Sequence, residues 1–328
     1  MAEVPDAKAL QEQLRAGWIA YLDLLLPIRS DLHAYCRRLT GNIWDAEDLI
    51  QDTLVRGFGH LSQLGQEVEN VRAYMLRAAS NTWIDGVRRR MTEERILKAE
   101  QPTRKPTPQP DEHASIRDAS AQLLRRLAPQ ERAAVVLKEV FELSIHEIAE
   151  TLVTSEGAVK DALHRGRGRL REPDDAPERR DAPSAELVDR FVELYDAKDV
   201  RGLVDLMVDG AAAENLGFGM QYSPDGFKGS EHFFYKIVHG HEEWPAFMKP
   251  ESQRMVSTLF EGERLLLRLA VRHGSEALEL VMRLDEVDGK ITRLRSYGFC
   301  PETMREVAAS LGLEVRTGAY RIPDWDVS

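Results

Sequence analysis

Cysteine is almost absent: Cys36 and Cys300 are the only two in 328 residues, and they lie far apart in the chain. Two distant thiols make neither a disulfide framework nor a cysteine zinc site, and they suit a reducing compartment. Long apolar runs are missing too. No stretch approaches the ~18 apolar residues that a membrane helix needs, so no membrane association is expected. The opening MAEVPDAKAL has no basic region followed by an apolar one, which argues against a secretory leader and for a cytoplasmic protein. His239 and His241 are the nearest thing to a metal pattern, and no third ligand accompanies them. No metal or cofactor is expected. Positive charge is also short: 44 Lys and Arg face 55 Asp and Glu, a net charge of −11.

That balance is uneven. Residues 1–183 hold 27 Lys and Arg against 30 Asp and Glu, whereas residues 184–328 hold 17 against 25. The acidity sits mainly in the C-terminal part. Local basic clusters remain at Arg88-Arg89-Arg90 and over Arg165–Arg171. Phosphate binding follows local cation density, so clusters count for more than the total.

Two stretches read as linkers. AEQPTRKPTPQPDEH at 99–113 carries four prolines, and EPDDAPERRDAP at 172–183 carries three. Neither can build a core, and both resist helix. They divide the chain into 1–98, 114–171 and 184–328. The first segment reads as helical. Residues 9–39 are rich in Leu, Ala and Arg. Ala46, Leu49, Ile50, Thr53 and Leu54 then line one face of a helix that Asp45 would cap, with Glu47, Asp48, Gln51, Asp52 and Arg56 on the other face. A helix over 71–90 has Leu76, Ser80, Trp83, Ile84 and Val87 as its stripe.

The strongest local pattern is SIHEIAETLVTSEGAVKDALHRGRGRLR, starting at Ser144. Ser144 and Glu147 have capping-box spacing. Ile145, Ile148, Ala149 and Leu152 fall on one helical face. Val153-Thr154-Ser155 makes a turn, and Ser155 opens a second helix buried along Val159, Leu163, Gly166 and Leu170. Glu156, Lys160, His164, Arg165, Arg167 and Arg169 then point outward. Two short helices with an exposed second helix suit the DNA major groove.

Residues 29–90 resemble the second domain of a sigma-70 family factor of the extracytoplasmic-function group. The resemblance rests on Asp45-Ala46-Glu47-Asp48-Leu49-Ile50-Gln51-Asp52, Tyr74-Met75-Leu76, Asn81, Asp85 and Arg88-Arg89-Arg90. Residues 122–171 resemble that group's fourth domain, through Leu127-Ala128-Pro129-Gln130-Glu131-Arg132 and Glu147-Ile148-Ala149. Val153 stands where Gly is frequent, and Gly166 where Ala is usual. The resemblance implies core RNA polymerase and promoter DNA as partners. It places Glu47, Asp48, Gln51 and Asp52 against the polymerase. Arg72, Arg77, Asn81, Arg88 and Arg89 fall to the minus-ten element, although Asn81 and Asp85 are also spaced to bond each other. Lys160, His164, Arg165, Arg167 and Arg169 fall to the minus-thirty-five element, as base or backbone contacts.

The C-terminal segment changes character. Helical patterns at 185–197 and 200–208 precede alternating strands through Leu265–Val271 and Leu278–Leu284. Glu261-Gly262 and Asp288-Gly289 are hairpin-turn pairs. A last helix spans Pro301–Leu311, followed by Gly312. The expectation is an α+β domain over 184–312 with a curved antiparallel sheet and half-buried strands, then a tail over 313–328. The order resembles the SnoaL-like cone fused to some extracytoplasmic-function sigma factors. That resemblance implies a regulatory domain contacting the sigma domains. Tyr222, His232, Tyr235 and Trp244 belong to an aromatic, histidine-rich stretch that either lines a pocket for an unidentified small ligand or is core and interface. No catalytic residue is assigned. The alternative is a helix-turn-helix regulator with a small-molecule-sensing or isomerase-like domain, acting outside any holoenzyme.

Overall fold

The structure, a computed structural model, describes residues 7–63, 68–100, 127–169, 183–217, 220–222, 234–235, 237–239 and 249–317. The chain divides into two compact units, Met1–Pro177 and Glu178–Ser328. The expected linkers lie almost wholly outside the described residues.

The first unit is helical. α1 (Ala7–Leu25) meets α2 (Arg29–Thr40) through a short 3-10 turn at Leu26–Ile28. Pro27 accounts for this break in the expected helical stretch, because it lacks an N–H and clashes with a preceding turn. Gly41, at φ 83°, ends α2. α3 (Ile43–Leu61) is capped by Asn42 rather than Asp45: the Asp45 amide donates to Asn42 Oδ1 at 2.7 Å. Ala46, Leu49, Ile50, Thr53 and Leu54 are all buried. α4 (Val71–Glu100) starts at Asn70, whose Oδ1 accepts from the Ala73 amide, and it runs past the expected end at residue 90.

α5 (Pro129–Glu139), α6 (Ile145–Thr151) and α7 (Glu156–Arg169) follow. The capping box closes both ways: the Glu147 amide donates to Ser144 Oγ at 3.2 Å, and the Ser144 amide donates to Glu147 Oε2 at 2.7 Å. Those bonds to Ser144 hold the Glu147 carboxyl below its ordinary pKa. Val159, Ala162, Leu163 and Gly166 are buried on α7. A Cβ at Gly166 would sit 2.9 Å from Val135 Cγ2, so glycine is what lets α5 and α7 approach so closely. The turn between α6 and α7 passes through Val153 at φ 51°, with the side chain 69% exposed.

The second unit places α8 (Ala185–Asp196) and α9 (Val200–Asp205) on a six-stranded sheet of order β2-β1-β6-β5-β4-β3. Its strands are β1 (Met207–Asn215), β2 (Met220–Tyr222), β3 (Ser252–Phe260), β4 (Glu263–Arg272), β5 (Ser275–Val287) and β6 (Lys290–Ser296). The sheet is mixed, because β1 pairs with β6 in parallel. An antiparallel sheet was expected, but Ala-rich β1 carries little strand signal and its first residues read as helix. Phe191, Leu203, Leu266, Met282 and Leu294 share the core under α8 and α9. Leu265, Leu267 and Val281, at the alternating positions, are equally buried. Two-sided burial therefore replaces the expected half-buried pattern, and α10 (Pro301–Leu311) packs against β5. The hairpin turns at 261–262, 273–274 and 288–289 each have two successive positive φ values, the geometry matched to strand twist. His273-Gly274 was not anticipated.

Beyond α10 the chain returns to β5: Val315 bridges Leu278, and Arg316 Nη1 donates to Glu279 Oε1 at 2.7 Å. Arg272 Nε reaches the same carboxylate at 2.6 Å. Burial works to raise the Glu279 pKa, but the bonds from Arg272 and Arg316 outweigh it and hold the carboxyl below its usual value of 4.5.

Two outcomes follow from these contacts. A lowered folded pKa contributes stability above the unfolded value and loses it as pH falls through the folded value. Denaturant unfolding of Glu279→Gln should therefore show a loss of about 3 kcal/mol at neutral pH that shrinks below pH 4.5; a pH-independent difference contradicts this account. Val153→Gly should raise stability by about 1 kcal/mol in thermal or denaturant melts, since a β-branched residue is strained at positive φ.

Candidate nucleic-acid interface

α7 presents its basic side chains in two ways. Lys160 and His164 are exposed near its middle, and no carboxylate among the described residues lies within ion-pair distance of either. The arginines of the last turns are engaged instead. Arg165 Nε donates to Glu131 Oε1 at 3.1 Å, and Arg169 Nη1 donates to Glu131 Oε2 at 2.8 Å. Arg167 Nε donates to Glu139 at 3.2 Å. Each arginine side chain stays about half exposed, but Glu131 is only 5% exposed. Arg165, Arg167 and Arg169 are thus turned toward α5 rather than standing free as expected. The cause is the placement of Glu131 and Glu139, eight residues apart, along the face of α5 that α7 packs against. Glu131 also accepts from the Ala128 amide, so one carboxylate both caps α5 and gathers α7.

On α4, Asn81, Asp85, Arg88 and Arg89 are exposed, and Asn81 and Asp85 make no bond to each other among the described residues. Arg72 and Arg77 are partly buried. Arg72 Nε donates to Asp31 at 2.6 Å, and its guanidinium lies 5.4 Å over the Phe141 ring. Arg77 lines a cavity of about 390 Å³ with His146, Glu150, Val153, Thr154 and Glu156.

The polar face of α3 is narrower than expected. Asp52 is exposed, Asp48 is half-buried, and Gln51 turns its amide nitrogen inward without a partner. Glu47 is a correction: it is 2% exposed and lies 3.6 Å from His33. The helical spacing explains it, because Glu47 is four residues after Ile43 and three before Ile50, on the buried stripe itself.

Arg132 was missed as a contact residue. It is 8% exposed, with Nη1 donating to the Leu39 carbonyl at 2.6 Å and its guanidinium 5.1 Å over Trp83. Its place in the Leu127–Arg132 pattern was visible, but nothing local signals a contact across more than ninety residues.

In the second unit, Phe234 rather than Tyr235 turns inward, against Phe191. Tyr235 is 38% exposed beside His239, so it does not line the interior. Tyr222 ends β2, while His232 and Trp244 lie outside the described residues. Glu214 pairs with Arg293 at 3.1 Å. No metal-ligand cluster occurs among the described residues, and no helix among them is long and apolar enough to cross a membrane.

Comparison with known proteins matches a sigma-70 region 2 model to residues 26–92 and a sigma-70 region 4 model to residues 118–170. The ECF RNA polymerase sigma factor SigG of Mycobacterium tuberculosis is 28% identical over 268 residues, covering 72% of this chain and 70% of that protein. An alignment of that extent runs beyond the helical unit. RNA polymerase sigma-E factor of Streptomyces coelicolor is 35% identical over 136 residues, covering 42% of this chain and 75% of that protein. The crystal structure of M. tuberculosis extracytoplasmic function sigma factor SigJ aligns over 86% of this chain and 97% of that one, at 21% identity and a TM-score of 0.31. With both sigma regions matched in order and a relative of this identity covered over three quarters of its length, the chain belongs to the extracytoplasmic-function sigma factors of the sigma-70 family.

Proposed function

We propose that this chain joins core RNA polymerase in the cytoplasm and directs it to promoters. The exposed part of α3 around Asp52 meets the polymerase. Asn81, Arg88 and Arg89 on α4 face the minus-ten element, and α7 reads the minus-thirty-five element through Lys160 and His164. The observation that carries this reading is the capped helix-turn-helix, with an exposed lysine and an exposed histidine at mid-helix, following a region-2 helical body. The arginines at the end of α7 hold that helix to α5 and contribute to phosphate contact from its flank. The acidic α+β unit modulates initiation, and its helix–sheet order supports a SnoaL-like identity. No catalytic role is assigned to it.

In vitro transcription with core polymerase tests this. Lys160→Ala and His164→Ala should each lower initiation by about tenfold at a promoter with its minus-thirty-five element. They should leave core binding intact. Equal loss at a promoter lacking that element contradicts the assignment. A chain ending at Asp181 should initiate differently from the full chain; identical activity removes the modulatory role. A full chain that binds duplex DNA specifically but never binds core supports a regulator acting outside holoenzyme instead.

A further inference from the structure

One cation of the second unit stands where its neighbours do not satisfy it. Arg268, in the middle of β4, lies opposite Met255 on β3 and Leu280 on β5. Both of those side chains belong to the apolar core under α8. From the groups around Arg268 we infer a binding site for a carboxylate-bearing small molecule, clamped by the Arg268 guanidinium and the Tyr195 hydroxyl.

A guanidinium offers five N–H donors in a flat fork and accepts nothing. Arg268 Nε is buried and meets no acceptor; among the described residues of the second unit, no other buried side-chain nitrogen or oxygen is left so. Nη1 reaches the Ile237 carbonyl only at 3.4 Å. The Tyr195 hydroxyl donates to that same carbonyl at 3.2 Å. Two donors therefore converge on one neutral acceptor, each through a long bond. Burial raises the Tyr195 pKa above its ordinary value of 10, and the Arg268 charge pulls it back. The neighbouring carboxylate does not relieve Arg268. β5 carries an extra residue, Glu279, opposite the step from Arg268 to Leu269, and a bulge of this kind re-aims a side chain. Glu279 is engaged elsewhere: Oε1 accepts from Arg272 Nε at 2.6 Å and from Arg316 Nη1 at 2.7 Å, and Oε2 accepts from Arg272 Nη2 at 3.2 Å.

A desolvated guanidinium without a bonded counter-charge is costly, and an anion removes that cost. A ligand carboxylate accepts from Arg268 and Tyr195 in place of the Ile237 carbonyl, replacing two long neutral contacts with charge-assisted ones. The planar fork of arginine matches a carboxylate two bonds at a time. Residues 237–239 are helical, and Gln253 Nε2 donates to the Val238 carbonyl at 2.6 Å. That bond keeps the turn on β3 when Ile237 gives up its donors. Phe191, Phe234, Ile237 and Met255 share the core that Arg268 enters. The body of the ligand is accordingly small and apolar, as in an aromatic or short aliphatic acid. The site lies wholly within the second unit and does not rest on the proposed sigma-factor function.

The test uses the full chain without polymerase, in equilibrium dialysis against radiolabelled benzoate and butyrate at fixed ionic strength. At least one of the two should bind saturably, at about one per chain, and the matching neutral amide should not compete. Tyr195→Phe should weaken binding about tenfold, the loss expected for one hydrogen bond to a charged group. Arg268→Met should abolish it. Thermal melts separate this role from a structural one. Removing an unsatisfied buried cation should leave the unliganded chain no less stable, with the Arg268→Met transition about 3 °C above the parent's. An Arg268→Met chain that melts below the parent makes Arg268 a strut for the Ile237 turn and overturns the site. No saturable binding of either acid up to about 10 mM also overturns it, as does binding that survives Arg268→Met. Inorganic phosphate that displaces the bound acid at lower concentration than the unlabelled acid does overturns the carboxylate class. If Arg268→Met fails to fold, Arg268→Lys decides: it keeps the charge without the fork, and binding undiminished in it overturns the clamp.

Discussion

Two adjacent side chains of opposite charge, Glu131 and Arg132, tie the helical unit together. They stand about 100° apart around the first turn of α5 and so project toward different neighbours. Glu131 collects Arg165 and Arg169 and orients α7. Arg132 reaches the carbonyl end of α2 and the face of Trp83. The direction of α7 relative to α4 is therefore transmitted through a single helical turn. Its sequence, Pro-Gln-Glu-Arg, opens with a proline that suits a first helical position and places the two charges two and three residues later. Close contact between α5 and α7 at Gly166 removes the slack that would otherwise blunt this coupling.

Much of this architecture was legible in the chain because the signals are local. The capping box at Ser144 and Glu147, the buried stripe through Val159, Leu163 and Gly166, and the Pro301–Leu311 helix with Gly312 after it each depend on residues a few positions apart. Hairpins at Glu261-Gly262 and Asp288-Gly289 belong to the same class. What escaped depends on distant partners. Glu47 reads as outward until His33 supplies a buried neighbour. The α7 arginines read as free until the carboxylates of α5 meet them. β1 reads as the end of a helix until β6 pairs with it in parallel. In the site, the exposed Lys160 and His164 followed from helical spacing alone, whereas Arg132 followed from nothing nearby.

The charge distribution now has a physical account. A net charge of −11 opposes unaided DNA binding, and the helical unit does little to offset it. The arginines on α7 are engaged with Glu131 and Glu139, and on α4 Arg72 is paired with Asp31 while Arg88 and Arg89 are exposed. Affinity for a duplex rises steeply with each phosphate neutralised, at about 0.9 logarithmic units of salt dependence per contact. The exposed Lys160 on α7, with the neighbouring His164, therefore gives weak binding by itself. A chain built this way reads a promoter only when something else supplies proximity, which is what tethering on a large DNA-bound enzyme does by raising effective concentration. On the proposed function, weak cationic character is then a condition of specificity: a free chain with few exposed cations binds bulk DNA weakly, and those cations count only once the polymerase has brought them to a promoter.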